Sequence, residues 1–190
     1  MAIRSSLLLS AVLAALPAAV LAHEGHGSGF LAGAGHPIGG TDHLLAMLAV
    51  GLWAAMLGGR ALWVLPLAFV TAMLAGGGMG HAGLPLPGVE PMILASVILV
   101  GVAAALALRL PLGWAALGVA AFGLFHGHAH GMEGPQDGLA LFAAGFALAT
   151  LALHMAGLGI GLALNALAGR GVLRMLGLGT VLGGLSLIFG

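Results

Sequence analysis

The chain has 190 residues, of which 61% are hydrophobic and 5% charged, and its formal net charge is zero. Soluble domains carry about 25% charged residues, so this composition belongs to an integral membrane protein. Balanced charge removes the electrostatic reason for a nucleic-acid partner, the lack of cysteine excludes disulfides and thiolate metal sites, and the lack of lysine excludes a P-loop.

Residues 1–22 begin with a single basic residue, Arg4, then run apolar to Pro17 and end on the small residues Val20 and Ala22. That is the pattern of a cleaved secretory signal peptide, with residues 23–190 forming one transmembrane domain. Cleavage after Ala22 leaves His23-Glu24-Gly25-His26 at the mature start. Its histidines miss the third position that an amino-terminal nickel or copper chelate requires, so the segment reads as a tail.

Six apolar stretches follow, near 40–58, 61–80, 90–108, 111–131, 137–165 and 172–189. Each approximates the roughly 20 residues a helix needs to cross a bilayer. The fold expected is therefore all-α, a six-helix transmembrane bundle. Breaks such as Gly58-Gly59-Arg60, Leu84-Pro85-Leu86-Pro87-Gly88 and Gly169-Arg170-Gly171 separate the stretches. The fifth exceeds one bilayer crossing, so it tilts, kinks in Gly157–Gly161 or projects beyond the membrane. A mature start in the periplasm puts Arg60, Arg109, Arg170 and Arg174 in cytoplasmic turns, as the positive-inside rule asks. Glu24, Asp42, Glu90, Glu133 and Asp137 then fall on the periplasmic side of an inner membrane. Trp53, Trp63 and Trp114 read as anchors at the cytoplasmic interface. Gly76/Gly80, Gly157/Gly161 and Gly179/Gly183, four residues apart, allow helices to pack closely.

Two clusters carry the chemistry. His36-Pro37-Ile38-Gly39-Gly40-Thr41-Asp42-His43 stands at the mouth of the first apolar stretch, and Phe125-His126-Gly127-His128-Ala129-His130-Gly131-Met132-Glu133 at the end of the fourth. Ionisable groups at membrane depth are costly and mark function. On a helix, His126, His130 and Glu133 share one side while His128 points the other way. Asp42 and His43, with His36 reaching in from a turn that Pro37, Gly39 and Gly40 keep irregular, supply the other half of a divalent-metal site. Nitrogen and oxygen donors suit nickel, cobalt or zinc. His154, deep in the fifth stretch, is either a second station on an ion path or a structural donor. Glu90 is either a vestibule carboxylate or a helix-start charge, and Met47, one turn past His43, is a further candidate.

At both clusters the chain resembles the HupE/UreJ family of nickel/cobalt permeases. The likeness rests on His36-Pro37, Gly40-Thr41-Asp42-His43-Leu44-Leu45-Ala46-Met47, Val50-Gly51-Leu52-Trp53-Ala54 and Phe125 to Glu133. Weaker echoes are Val89-Glu90-Pro91 with Ala95-Ser96-Val97, and Gly145-Phe146 with Ala149-Thr150, His154 and Gly157. The resemblance implies a signal peptide, a small helical bundle, and uptake of Ni2+ or Co2+ for hydrogenase or urease maturation. It carries over His36, Asp42, His43, His126, His130 and Glu133; it does not assign His128, which stands with His154, Glu90 and Met47 as a candidate for a second station or the vestibule.

The reading that follows is a permease rather than an enzyme, with the metal ion as cargo and no prosthetic group. The lipid bilayer is its other partner, and self-association is left open. Two alternatives stand beside it. An intramembrane zinc hydrolase is permitted by the residue inventory, although no His-Glu-x-x-His is present. A haem-binding electron carrier would use paired helix histidines such as His43, His126 or His154.

Overall fold

The computed structural model describes residues 29–190. The expected signal peptide and the His23–His26 tail lie outside the described residues. Seven helices account for nearly all the described chain: α1 Phe30–Gly39, α2 Thr41–Leu57, α3 Ala61–His81, α4 Val89–Ala105, α5 Leu112–Glu133, α6 Leu139–Ala168 and α7 Arg170–Phe189. Helices are the economical answer for such a sequence, because each satisfies its own backbone hydrogen bonds without water.

Helices α2 to α7 coincide with the six apolar stretches to within a few residues. The seventh, α1, is an addition and a correction. Its ten residues include Pro37, so His36 sits on a short helix rather than on an irregular turn. Proline's missing N–H and its ring limit the continuation, and the helix stops two residues later. Gly40 then adopts an extended conformation and the chain bends by 87° into α2. Helices α3, α6 and α7 are each long and apolar enough to cross a membrane, and α1 with α2 makes a fourth candidate as one broken span. At 17 residues α4 is short, and three histidines interrupt the apolar run of the 22-residue α5. The long fifth stretch forms one 30-residue helix, α6. At about 1.5 Å per residue it exceeds the roughly 30 Å hydrocarbon core by about half.

Glycine decides which helices touch. Along α5, a Cβ on Gly123, Gly127 or Gly131 would overlap the backbone carbonyls of Phe69, Met73 and Gly77 on α3. In return, Gly76 and Gly80 of α3 lie against the carbonyls of Leu124 and His128. The two backbones therefore meet directly, with no side chain between them, as small-residue membrane interfaces do. Gly51 of α2 lies against the His154 carbonyl, and Gly157 of α6 against that of Leu48, joining α2 to α6 in the same way. Gly33 and Gly145 seat α1 on the start of α6, against Phe142 and Phe30. The expected pair Gly179/Gly183 is only half used: Gly179 faces open space and Gly183 meets the side chain of Leu45.

The core lies among α2 to α7, around Met47, Leu65, Phe69 and Met73, with Leu173 as the α7 contribution. Trp53 belongs to it and is not an interfacial anchor: it is 4% exposed and its indole donates to the Leu108 carbonyl at 3.1 Å. Trp63 and Trp114 are exposed, as an interfacial position requires.

The α3–α5 seam generates a prediction. Gly127→Ala forces a methyl group into the Met73 carbonyl, and overpacking of this kind costs about 1–3 kcal/mol or more. Gly118→Ala on the same helix meets nothing within 4 Å. Thermal unfolding of purified protein should place the midpoint of Gly127→Ala clearly below that of Gly118→Ala. Equal midpoints would mean that this contact does not hold the pair together.

Candidate metal-binding site

The bend at Gly40 brings the two clusters together. A side chain at Gly40 would displace both groups: a Cβ there would stand 2.8 Å from Asp42 Oδ1 and 3.2 Å from His43 Nδ1. With the backbone tight at that point, Asp42 Oδ1 accepts from the His43 backbone N–H at 2.8 Å and from His43 Nδ1 at 3.0 Å. The carboxylate thus fixes the imidazole as the Nδ1–H tautomer and leaves the Nε2 lone pair free. That lone pair faces Nε2 of His130, in direct contact.

His130 uses both ring nitrogens. Its Nδ1 lies 2.8 Å from His36 Nε2 on α1, and Glu133 Oε2 stands 3.8 Å from His36 Nε2 and 3.9 Å from His130 Nδ1. His36, His130 and Glu133 each offer one ligand atom, all within 4.8 Å of one another. One assignment of neutral tautomers satisfies the row. His36 Nε2–H donates to His130 Nδ1, His130 Nε2–H donates to His43 Nε2, and His43 Nδ1–H donates to Asp42. The imidazoles are held at close range by edge-on ring contacts: 4.6 Å between the His36 and His130 centroids and 4.3 Å between His43 and His130. Phe146 and Phe142 wall the outer pair, with Phe146 4.6 Å from His130 and Phe142 5.6 Å from His36.

His126 lies one helical turn inward. Its ring meets His43 edge-on at 4.4 Å, and its Nε2 is 2.8 Å from Ser96 Oγ on α4. The Ser96 hydroxyl donates its one proton to the Ile93 carbonyl at 2.6 Å. It therefore accepts from His126 Nε2–H, which leaves His126 Nδ1 as a bare lone pair, buried and without a partner among the described residues.

Glu90 and Asp42 face the same vestibule, a cavity of about 740 Å³ also lined by His36, His43, His130 and Glu133. Exposure falls steeply inward: the side chains of Glu133, His36, His130 and His43 are 69%, 36%, 12% and 7% exposed. The four arginines among the described residues lie at the other end of the bundle. Arg60 is in the α2–α3 turn, Arg109 in the α4–α5 loop, and Arg170 and Arg174 in the first turns of α7, where Arg174 donates to the Ala105 carbonyl at 2.8 Å.

All six residues carried by the two motifs thus gather at one end, on α1, α2 and α5. His128 does not join them. It is buried on the far side of α5, where Nε2–H donates to the Leu84 carbonyl at 2.7 Å and ties down the α3–α4 loop. Met47 is fully buried in the apolar core. His154 lies deeper, within the bundle. Sequence reasoning does not find the roles of Ser96 as the orienter of His126 or of Phe142 and Phe146 as the wall. Serine and phenylalanine in an apolar helix carry no distinguishing mark until the helices are packed.

Residues 10–187 match the family described as HupE / UreJ protein. The chain is 44% identical over 178 residues to Protein HupE of Rhizobium leguminosarum bv. viciae, covering 93% of each chain. No solved structure matches. A family match over almost the whole length, joined to a relative alike along nearly all of both chains, establishes that this chain belongs to the HupE/UreJ family.

Proposed function

We propose that the chain is a permease that admits Ni2+, or Co2+, from the periplasm to the cytoplasm and so supplies metalloenzyme maturation such as that of hydrogenase or urease. The observation that carries this reading is the convergence of His36 Nε2, His130 Nδ1 and Glu133 Oε2 from two helices, with His43 from a third touching the same imidazole. Two nitrogens and a carboxylate oxygen form a borderline donor set suited to these dications and ill suited to Mg2+ or Ca2+. Asp42 acts by aiming His43, as carboxylates behind metal-bound histidines do. Glu90 adds negative charge to the vestibule. His126 receives the ion from His43.

In this reading α2 to α7 each cross the inner membrane. Its support is the separation of charge along the bundle, with the arginines at one end and Asp42, Glu90 and Glu133 at the other. A potential of 100 mV, negative inside, contributes about 4.6 kcal/mol to inward movement of a dication, twice the roughly 2.3 kcal/mol per charge. Uptake then runs downhill without nucleotide hydrolysis.

Cells expressing the wild type should accumulate radioactive nickel, and His43→Ala and His130→Ala should each lower accumulation by about tenfold or more. Wild-type accumulation by both variants would remove the site. Metal must compete with protons for imidazole nitrogen, and burial holds His36 below the ordinary histidine value of about 6.5, so affinity falls only at pH below that value. Titration of purified protein with NiCl2 should give nearly the same affinity at pH 6.5 as at pH 7.5 and weaker binding only at lower pH; a loss centred at pH 6.5 would point to exposed histidines instead of these. Gly40→Ala presses a methyl against Asp42 and His43, so NiCl2 affinity should fall while thermal unfolding stays close to wild type.

A further inference from the structure

The mouth of the bundle leaves one buried group without a task. His154 lies on α6 roughly 22 Å along the helix axis from its start, at about 1.5 Å per residue. It is fully buried, and neither Nδ1 nor Nε2 has a hydrogen-bond partner among the described residues. A structural histidine in a membrane helix earns its place through a hydrogen bond to a neighbour. His154 makes none.

Its surroundings are not inert. One turn before it on the same face of α6, Thr150 donates its hydroxyl to Met73 Sδ on α3 at 3.6 Å. One turn from Met73, the Phe69 ring stands edge-on to His154 at 5.0 Å and tilted over His126 at 5.4 Å. Beyond that ring lies Nδ1 of His126, the lone pair that the Ser96 hydrogen bond leaves bare. Two helices, α3 and α6, therefore bring an unsatisfied imidazole, a thioether sulfur and a hydroxyl oxygen to the middle of an otherwise apolar core. All of these donors are neutral. Together they suit a borderline transition-metal dication that has shed water, and offer little to alkali or alkaline-earth ions.

We propose that His154, with the side chains of Met73 and Thr150, forms a second coordinating station for the transported dication, one step inward from the mouth and separated from His126 by the Phe69 ring. This rests on the permease reading above. The mouth binds the ion where water is near. The inner station replaces hydration where water is excluded.

The chain contains no cysteine, so His154→Cys introduces its one thiolate. The full-length variant, purified and loaded with CoCl2, should develop a thiolate-to-cobalt charge-transfer absorption in the near ultraviolet. Ala115→Cys, buried near the start of α5 and about 16 Å along that helix from His126, should not. A folded, cobalt-binding His154→Cys without the band overturns the station. His154→Gln keeps size and polarity and serves if the cysteine variant does not fold. It should bind NiCl2 at the mouth within about twofold of wild type and yet accumulate radioactive nickel about tenfold less. The two readings fail separately. A wild type that accumulates no nickel overturns the permease and the station together, whereas a His154→Gln variant that matches an active wild type overturns the station alone.

Discussion

Everything at the mouth depends on backbone meeting backbone between α3 and α5. Gly123, Gly127 and Gly131 lie on the carbonyls of Phe69, Met73 and Gly77, and nothing larger than hydrogen fits between. Side chains that would otherwise fill that seam are absent, so α5 is fixed in rotation as well as position. The residues interleaved with those glycines then have set directions. His126 and His130 turn toward α2 and α1, and His128 turns toward the α3–α4 loop. A pair of helices separated by leucines would tolerate small rotations. This pair does not, and precision at the imidazoles follows from it.

The same device operates between α2 and α6 through Gly51 and Gly157. The bundle thus contains two rigid pairs, α3 with α5 and α2 with α6. His43 on one pair touches His130 on the other. An ion held between them is gripped by two bodies rather than by one, and α1, seated on α6 through Gly33 and Gly145, brings His36 in from the side. This accounts for the placement of a ten-residue helix almost at right angles to its successor. No straight continuation of α2 would carry His36 back over His130.

Much of this architecture is legible in the order of residues alone. Apolar runs of about 20 residues can become little other than helices in lipid, and α2 to α7 follow them closely. The two clusters are legible because imidazoles and carboxylates at the edge of hydrocarbon are too costly to be filler. What stays hidden has equally physical causes. Pro37 and Gly39 argue against a helix by local preference, yet α1 forms because packing against α6 outweighs a weak propensity. Trp53 resembles any interfacial tryptophan in sequence; only the Leu108 carbonyl, brought round by the α4–α5 loop, supplies its buried partner. Asp42 looks like a ligand by its chemistry. Its engagement with the His43 backbone and ring depends on the tight turn at Gly40, which spacing alone does not disclose. The four-residue glycine pattern is a sound guide at Gly76/Gly80 and incomplete at Gly179, because the pattern permits close approach without saying which face has a neighbour.

In the proposed permease, the order of the imidazoles and carboxylates along the bundle follows from what surrounds each of them. Glu133 and Glu90 stand exposed, where water screens their charge and a hydrated cation would be drawn in at little desolvation cost. One step inward, His36, His130 and His43 offer neutral nitrogens of falling exposure, the last held by the one carboxylate that is itself committed to a hydrogen bond. Deeper still, His154 has no carboxylate beside it among the described residues. A fixed anion at that depth would bind a dication too tightly to release it, since conduction needs sites strong enough to enter and weak enough to leave. Neutral donors meet that condition. The grading from charged and wet to neutral and dry is therefore what a chain of this composition needs if it is to capture an ion and still let it go.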